Sequence, residues 1–481
     1  SSRQDTRVMD IKAPTLPFPP ASLFLVGIGG IGMSALAQLL AWQGYRVAGS
    51  DRGADEPGKA ELYHALEQQG VKLYPQDGSG VKTEKPDAII ISSAVEDNNP
   101  DLLAMPARPV IHRASALAQA LQRVPAPLIA VAGSCGKTTV TAWLASALKA
   151  LGEQILMVNG GYALNFENDT APGNFYSDFD PHWLIIEVDE SDRSLTTFKP
   201  DVGLLLNVGN DHYSQDELRK VFGEFLQNCQ QGIACLKELA PLAAGSKAAV
   251  TCFAAEPDPD PAEPAVIAPG DYQARPDGIH FSAAGIGAVH SGQSGHHSAV
   301  NACAVISALK LLPLTSSNDD ICRAIAAFHG VRQRFEVMGC LPSGTPVVND
   351  YAHNPEKIAA AIATARERFG SPLLLFFQPH GFKPLEFMRE ALKDALKNSL
   401  QSGDRLLLLP VFYAGGSASF RPSAAEVADE LVAAGLPVAA VADRQAAAAA
   451  VRNSGSRAKA VVVMGARDSS LRPWCQALCH E

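Results

Sequence analysis

No two of the nine cysteines (Cys135, Cys229, Cys235, Cys252, Cys303, Cys322, Cys340, Cys475 and Cys479) stand in a Cys-x-x-Cys pair. That spacing argues against a metal cluster or a disulfide framework. The apolar settings of most of them suit reduced, buried thiols in a cytosolic enzyme. No apolar run approaches the roughly 18 residues of a membrane span. The first twenty residues hold Arg3, Asp5, Arg7, Asp10, Lys12 and four prolines, without the apolar core of a secretory signal. Residues 1–21 therefore read as a disordered tail. Excess positive charge is also missing: the net charge is −10 and the pI about 5.7. Neither nucleic acid nor an anionic membrane is indicated as a partner, although a pocket can still be locally basic. No internal repeat is visible.

What is present is an ordinary globular balance, 47% hydrophobic and 19% charged over 481 residues. That length suggests about three domains. The most informative segment runs from Leu128 to Thr139. An apolar run rich in Val and Ile ends in Gly133, Ser134, Cys135 and Gly136, followed by Lys137, Thr138 and Thr139 and a helix-forming stretch to Lys149. This order is strand, phosphate loop, helix. Glycines let backbone N–H groups turn around phosphate oxygens, and the positive helix end faces the same anion. Lys137 is suited to the outer phosphates and the Thr138 hydroxyl to a magnesium ion. The strict pattern has glycine where Val131 stands, so the loop is a shortened variant. It argues for ATP or GTP.

Alternating strands and helices give an α/β class with mainly parallel sheets covered on both faces. Three units follow one another: 22–123, 124–336 and 337–481, with Val124-Pro-Ala-Pro127 as a stiff boundary. In the first, Gly27-x-Gly29-x-x-Gly32 follows a strand and opens a helix, and Asp51 follows a second strand. Such a turn reads pyrophosphate through backbone N–H groups and ignores the base, so NAD, FAD and a UDP-type ligand all remain open. In the second, Glu187, Asp189, Glu190, Ser191 and Asp192 end a buried strand beside the phosphate loop. Hard Mg²⁺ prefers such carboxylates. His212 ends the next strand, where it is suited to a second cation. His297 and Asn301 open a later helix, and Asn301 offers a nucleobase edge both donor and acceptor. Arg332 and Arg334 follow, Arg334 being suited to charge on a transferring phosphoryl group. The third unit places Asp350, Tyr351, His353 and His380 in loops after strands, away from packing. Its Ala-rich segment 437–452 reads as helix.

Taken in order, Gly-Ile-Gly-Gly-Ile-Gly-Met33, Ser92-Ser-Ala94 with Asp97-Asn-Asn-Pro100, Gly-Lys-Thr-Thr, Glu-Val-Asp-Glu-Ser-Asp, Asp-Tyr-Ala-His and Phe-Gln-Pro-His make a set that resembles the Mur ligases. The likeness is greatest to their UDP-N-acetylmuramate–L-alanine branch, and it covers about residues 22–481. It implies an N-terminal UDP-sugar module, a central ATPase and a C-terminal Rossmann-like lid hinged near Gly330–Gly339. It also implies the chemistry: ATP converts a UDP-sugar carboxylate to an acyl phosphate, and an amino acid's amine displaces phosphate to leave an amide. By resemblance, Gly133–Thr139 cradle ATP, and Thr138, Glu187 and His212 serve Mg²⁺. His297 and Asn301 face adenine, Arg334 a phosphate and Asp350 the ribose. Gly29, Gly30, Ile31 and Gly32 wrap the UDP pyrophosphate near Asp51, Ser92 and Arg113. Glu190, Ser191, Tyr351, His353 and His380 attend the two reacting substrates.

The chain differs from that branch in having Cys135, Ser298, Asn354 and Gly381 where His, Asn, His and Arg are usual. A paralogue using another carboxylate or an amino acid or peptide is the alternative reading. Small molecules are the expected partners, with no nucleic acid or membrane, for a cytoplasmic monomer or homodimer.

Overall fold

Runs rich in Val, Ile and Leu, too apolar to face water on either side, form the centres of three mainly parallel sheets. The computed structural model describes residues 14–56, 58–191, 194–209, 215–259, 266–413, 415 and 419–480. The chain divides into two compact units. One runs up to Gln273 and includes Ile279–Val331; the other holds Arg332–Glu481 and the short segment Ala274–Gly278.

In the first unit, one five-stranded parallel sheet has the order Lys72–Tyr74, Arg46–Ser50, Ser22–Val26, Ala88–Ile91, Val110–His112. Strand order reverses beside Ser22–Val26, which opens a crevice at the carboxyl ends of Ser22–Val26 and Ala88–Ile91. The second sheet has seven strands, ordered Ala249–Phe253, Gly232–Leu236, Val202–Leu205, Leu128–Ala132, Trp183–Glu187, Ile155–Val158 and an antiparallel edge, Phe175–Ser177. Leu128–Ala132 is central, with Val131 beside Glu187 and Ala132 beside Leu205. The loops that follow these three strands consequently emerge at one edge.

The helix Lys137–Ala150 is buried along most of its length. Trp143 anchors it by donating to the Ile325 carbonyl at 3.1 Å and stacking on Phe328. One continuous core joins the first sheet to the second, from Leu16 and Leu36 through Val124 and Ala126 to Ile186. The Pro-flanked boundary is therefore packed.

The second unit carries a six-stranded sheet, ordered Glu336–Cys340, Pro346–Asp350, Ala460–Met464, Leu373–Phe377, Arg405–Leu408, Val438–Ala440, with the first strand antiparallel. The chain ends on the helix Leu471–Leu478, which the sequence reading did not include.

Several expectations are corrected. Residues 14–21 are packed: Leu16 is fully buried and its backbone N–H donates to Gln119, while Tyr45 donates to the Pro17 carbonyl. The segment 437–452 is two elements. Val438–Ala440 completes the sheet against Leu406–Leu408, and a helix begins only at Arg444, where the Asp443 side chain accepts the Ala446 N–H. Sheet pairing outweighs alanine's helix preference there. A three-stranded antiparallel sheet, Pro269–Arg275, Gly278–Ala283 and Gly287–Ser291, was not anticipated. Of the nine cysteines four are buried, three half-buried and two, Cys135 and Cys340, exposed. No described helix is long and apolar enough to cross a membrane.

Candidate active site

The phosphate loop is built as its glycines require. Gly133 and Gly136 have φ of +150° and +87°, values that a side chain would strain. Asn207, at the end of the next strand, clamps the loop. Its side chain accepts the Cys135 N–H and donates to the Cys135 carbonyl, both at 2.9 Å. Ser134 accepts the Gly209 N–H at 2.7 Å. Lys137 folds back, its ammonium donating to the Gly133 carbonyl at 2.7 Å and standing 3.7 Å from Asp189. That position spans the loop mouth, where an anion's outer oxygens would meet the ammonium.

Carboxylates surround this ammonium. Burial works against the charge on Asp189, but the Ser191 backbone N–H and Lys137 outweigh it and hold the carboxyl below the usual range. Its neighbour Glu190 is pushed up by burial and by Asp189. One Glu190 oxygen is buried without a hydrogen-bond partner among the described residues. Glu187 lies against the bare backbone of Gly160, where an added Cβ would collide with the carboxylate. A Cβ at Gly161 would stand 2.6 Å from the Thr138 methyl. Asn159 holds this turn by donating to the Thr138 carbonyl at 3.1 Å and accepting the Gly161 N–H at 2.9 Å. The hydroxyl of Thr138 and the carboxylate of Glu187 are hard oxygen donors of the kind Mg²⁺ takes, on a backbone stripped of side chains to admit it. The donor set fits the ion. His212 and Asp192 lie outside the described residues.

Asn301 reaches the same loop, since its amide lies 3.4–3.5 Å from where a Gly136 Cβ would stand. His297 is exposed on the first turn of the helix His296–Leu311. Ser298 is buried and donates to the Ser294 carbonyl at 2.6 Å.

At the first sheet's crevice, Gly27 and Ile28 both donate to the Ser50 carbonyl, at 2.8 and 2.9 Å, and Gly30 donates to Gly27. The Asp51 carboxylate sits directly against Gly29, held by the Tyr63 hydroxyl and, at 3.7 Å, by Lys59. Burial and this carboxylate raise the Tyr63 pKa. The Arg113 guanidinium lies 3.1 Å from the Cβ position of Gly32. Ile31 and Gly32 start the helix, and Ser92 follows the strand Ala88–Ile91 with its hydroxyl accepting the Ala94 N–H. Gly29, Gly30, Ile31, Gly32, Asp51 and Arg113 thus meet around one turn, at a helix start that presents its positive end and a guanidinium to an anion.

In the second unit both oxygens of the half-buried Asp350 are engaged, each accepting a backbone N–H at 2.8 Å, from Phe335 and Ala352. Burial raises its pKa. These bonds hold the turn bearing Arg334, whose guanidinium lies 5.4 Å over the Tyr351 ring. Tyr351, His353 and His380 form an edge-on chain of rings at 5.4 and 5.5 Å. The two histidines therefore pack on each other, which corrects the expectation that they stand away from packing. Burial lowers both pKa values. Lys357 adds to the effect at His353, and the neighbouring ring and Arg467 add to it at His380. Beyond His380 opens a cavity of about 880 Å³ lined by Lys383, Arg389, Tyr413, Arg421 and Arg467.

Three family models match in sequence order: the Mur ligase family catalytic domain over residues 24–124, the Mur ligase middle domain over 131–309 and the Mur ligase glutamate ligase domain over 333–467. The chain belongs to the Mur ligase family. It is 33% identical to a UDP-N-acetylmuramate–L-alanine ligase of Burkholderia cenocepacia over 92% of this chain and 95% of that one. A protein of the same name from Maricaulis maris is 30% identical over 98% and 99%. Among solved structures, a UDP-N-acetylmuramate–alanine ligase of Thermotoga maritima matches with a TM-score of 0.75 and 24% identity, covering 96% of this chain and 98% of that one.

Within this Mur ligase chain, the residues the sequence reading passed over are Asn159, Gly160, Gly161 and Asn207, along with Lys59 and Tyr63. Asn159 and Asn207 each follow a buried strand, at the sheet edge where the phosphate loop also emerges. Strand-end position is the signal by which the sequence could have given them.

Proposed function

We propose that this Mur ligase joins the carboxylate of UDP-N-acetylmuramate to the amine of L-alanine, with conversion of ATP to ADP and phosphate, in the synthesis of peptidoglycan precursors. The observation that carries the reading is Lys137 poised across a glycine loop, facing Asp189 and backed by Glu187 against Gly160. Supporting it, the relatives named for that reaction match nearly the whole chain.

A carboxylate is a poor electrophile, and phosphorylation gives it a leaving group. In this reading Gly133, Gly136 and Thr139 supply N–H groups to the phosphates, Ser134 and Cys135 complete the loop with their own N–H groups held by Asn207, and Lys137 follows the charge on the transferred group. Asn301 and His297 receive the adenine. Thr138 and Glu187, together with His212, would hold Mg²⁺, which when bound would supply charge neutralisation for the two anions. Gly29, Gly30, Ile31 and Gly32 bind the UDP pyrophosphate, with Arg113 as countercharge, and Asp51 and Ser92 beside the nucleoside. Glu190 and Ser191 orient the sugar acid.

In the C-terminal unit, Asp350 fixes the turn that presents Arg334 and takes the ribose. Tyr351, His353 and His380 receive the amine. Burial keeps both imidazoles neutral near pH 7, the state that accepts the proton released when an ammonium becomes a nucleophile.

The test is ADP release that requires both UDP-N-acetylmuramate and L-alanine. Turnover with that acceptor but only with other amines would remove L-alanine. No turnover with any amino acid would remove the acceptor.

A further inference from the structure

Cys235 and Cys252, distant in sequence, are direct partners in the parallel pairing of Gly232–Leu236 with Ala249–Phe253. In-register neighbours on parallel strands direct their side chains to the same face, and such strands run about 4.8 Å apart. That spacing lies inside the roughly 4.4–6.8 Å Cα window of a disulfide. Cys235 is fully buried, whereas Cys252 is half-buried on the edge strand, which leaves one sulfur reachable and the other behind it. The hydrogen bond from Cys235, helped by Lys237, holds the Cys252 thiol below its ordinary range, whereas burial pushes Cys229, Cys303 and Cys475 up. Thiolate character and access are what govern attack on a disulfide.

We propose that Cys235 and Cys252 form a vicinal dithiol that exchanges with low-molecular-weight disulfides, Cys252 attacking and Cys235 resolving. The Cys252 thiolate attacks one sulfur of the small disulfide and expels its other half as a thiolate, giving a mixed disulfide. Cys235 loses its proton and attacks Cys252 Sγ, which expels the second small thiol. The protein loses two electrons and two protons, and the small disulfide becomes two thiols. The hydrogen bond to Cys252 is the first cause of the raised Cys235 pKa, and it disappears once Cys252 is in the mixed disulfide. The first step therefore frees the second.

The experiment treats the full chain with glutathione disulfide, quenches it and maps every cysteine by peptide mass. Wild type is expected to yield a Cys235–Cys252 linked peptide. Cys235→Ser is expected to stop at a glutathione adduct on Cys252. Cys252→Ser is expected to lower modification of Cys235 at least about ten-fold. A trivalent arsenical, which needs two adjacent thiols, gives a second readout whose wild-type result does not depend on the variants folding. Adducts on the exposed Cys135 and Cys340 with no linked peptide and no arsenical capture would overturn the proposal. So would undiminished arsenical capture at these positions in Cys235→Ser.

Discussion

Gly160 and Glu187 share a space that admits only one side chain: a Cβ on Gly160 would collide with the Glu187 carboxylate. The carboxylate is positioned by that lack of a neighbour. Gly160→Ala is expected to push Glu187 off the phosphate loop and cost about 10–100-fold in turnover, the usual range for groups that orient a metal ligand. The loss should be partly recovered by raising Mg²⁺. Gly292→Ala, which adds a methyl with nothing within 4 Å, is the control and should match wild type. Equal Mg²⁺ dependence in the two variants would refute the argument.

Lys137 spends its charge on a carbonyl and a carboxylate at the loop mouth. Removal with Lys137→Ala is expected to reduce kcat by about 10²–10³-fold or more, since a preorganised cation aimed at developing charge contributes that much. The fold should persist, because the side chain lines the mouth of the loop. Steady-state kinetics beside a circular dichroism melt will check both halves. A change in KM for ATP with kcat intact would reduce Lys137 to a binding contact.

The phosphate loop was legible because its parts are consecutive in the chain: glycines, Lys137 and Thr138 follow one another and need no tertiary information. The Gly29–Gly32 turn with Asp51 was legible for the same reason, as strand ends announce themselves. Asn159 and Asn207 were not singled out, because their work is to hold a loop that the chain reaches only through the sheet. The helix expected over 437–452 failed at Val438–Ala440, where an open sheet edge on Leu406–Leu408 decided the outcome. The antiparallel strands near 270–290 carry glycines, charges and histidines. They hold together through one buried face that includes Ile279, Phe281 and Val289. Residues 14–21 were read as a tail because four prolines and mixed charge conceal a single buried leucine, Leu16.

His353 and His380 face each other with both pKa values lowered, burial being the first cause at each. The unfolded chain binds protons at its ordinary histidine value, about 6.5, before the folded chain does. Stability is therefore expected to fall as pH drops below about 6.5 and to be flat above it with respect to these groups. Denaturant midpoints of wild type and a His353→Gln/His380→Gln double variant, measured between pH 5 and 8, should converge on the acid side. Parallel curves would show that the pair does not titrate differently on folding.

Asn174 ties the two glycine turns together. Its side-chain amide donates to the Ile31 carbonyl and the Ser34 hydroxyl at 2.9 Å and accepts from Gln38 at 2.8 Å, while its backbone carbonyl accepts the Asn159 N–H at 2.9 Å. Asn174 and Ser34 are fully buried and Gln38 nearly so, so no water replaces a lost partner. Asn174→Ala should leave one Gln38 N–H without an acceptor, while the Ser34 carbonyl keeps the other and the Ser34 hydroxyl still reaches the Ile31 carbonyl at 3.2 Å, and should cost about 1–3 kcal/mol, less whatever relaxation recovers. Ile31 starts the helix behind the Gly29–Gly32 turn proposed for the pyrophosphate, and Asn159 anchors the turn that leaves room for Glu187. The same substitution is therefore expected to raise KM for the UDP-sugar as well as lowering the first thermal transition. Asn174→Asp keeps the acceptor but turns a buried carboxylate oxygen toward the Ile31 carbonyl, and should destabilise more than Asn174→Ala. A variant that melts like wild type would show that the amide network contributes nothing net. A lower melt with unchanged KM would confine its role to packing.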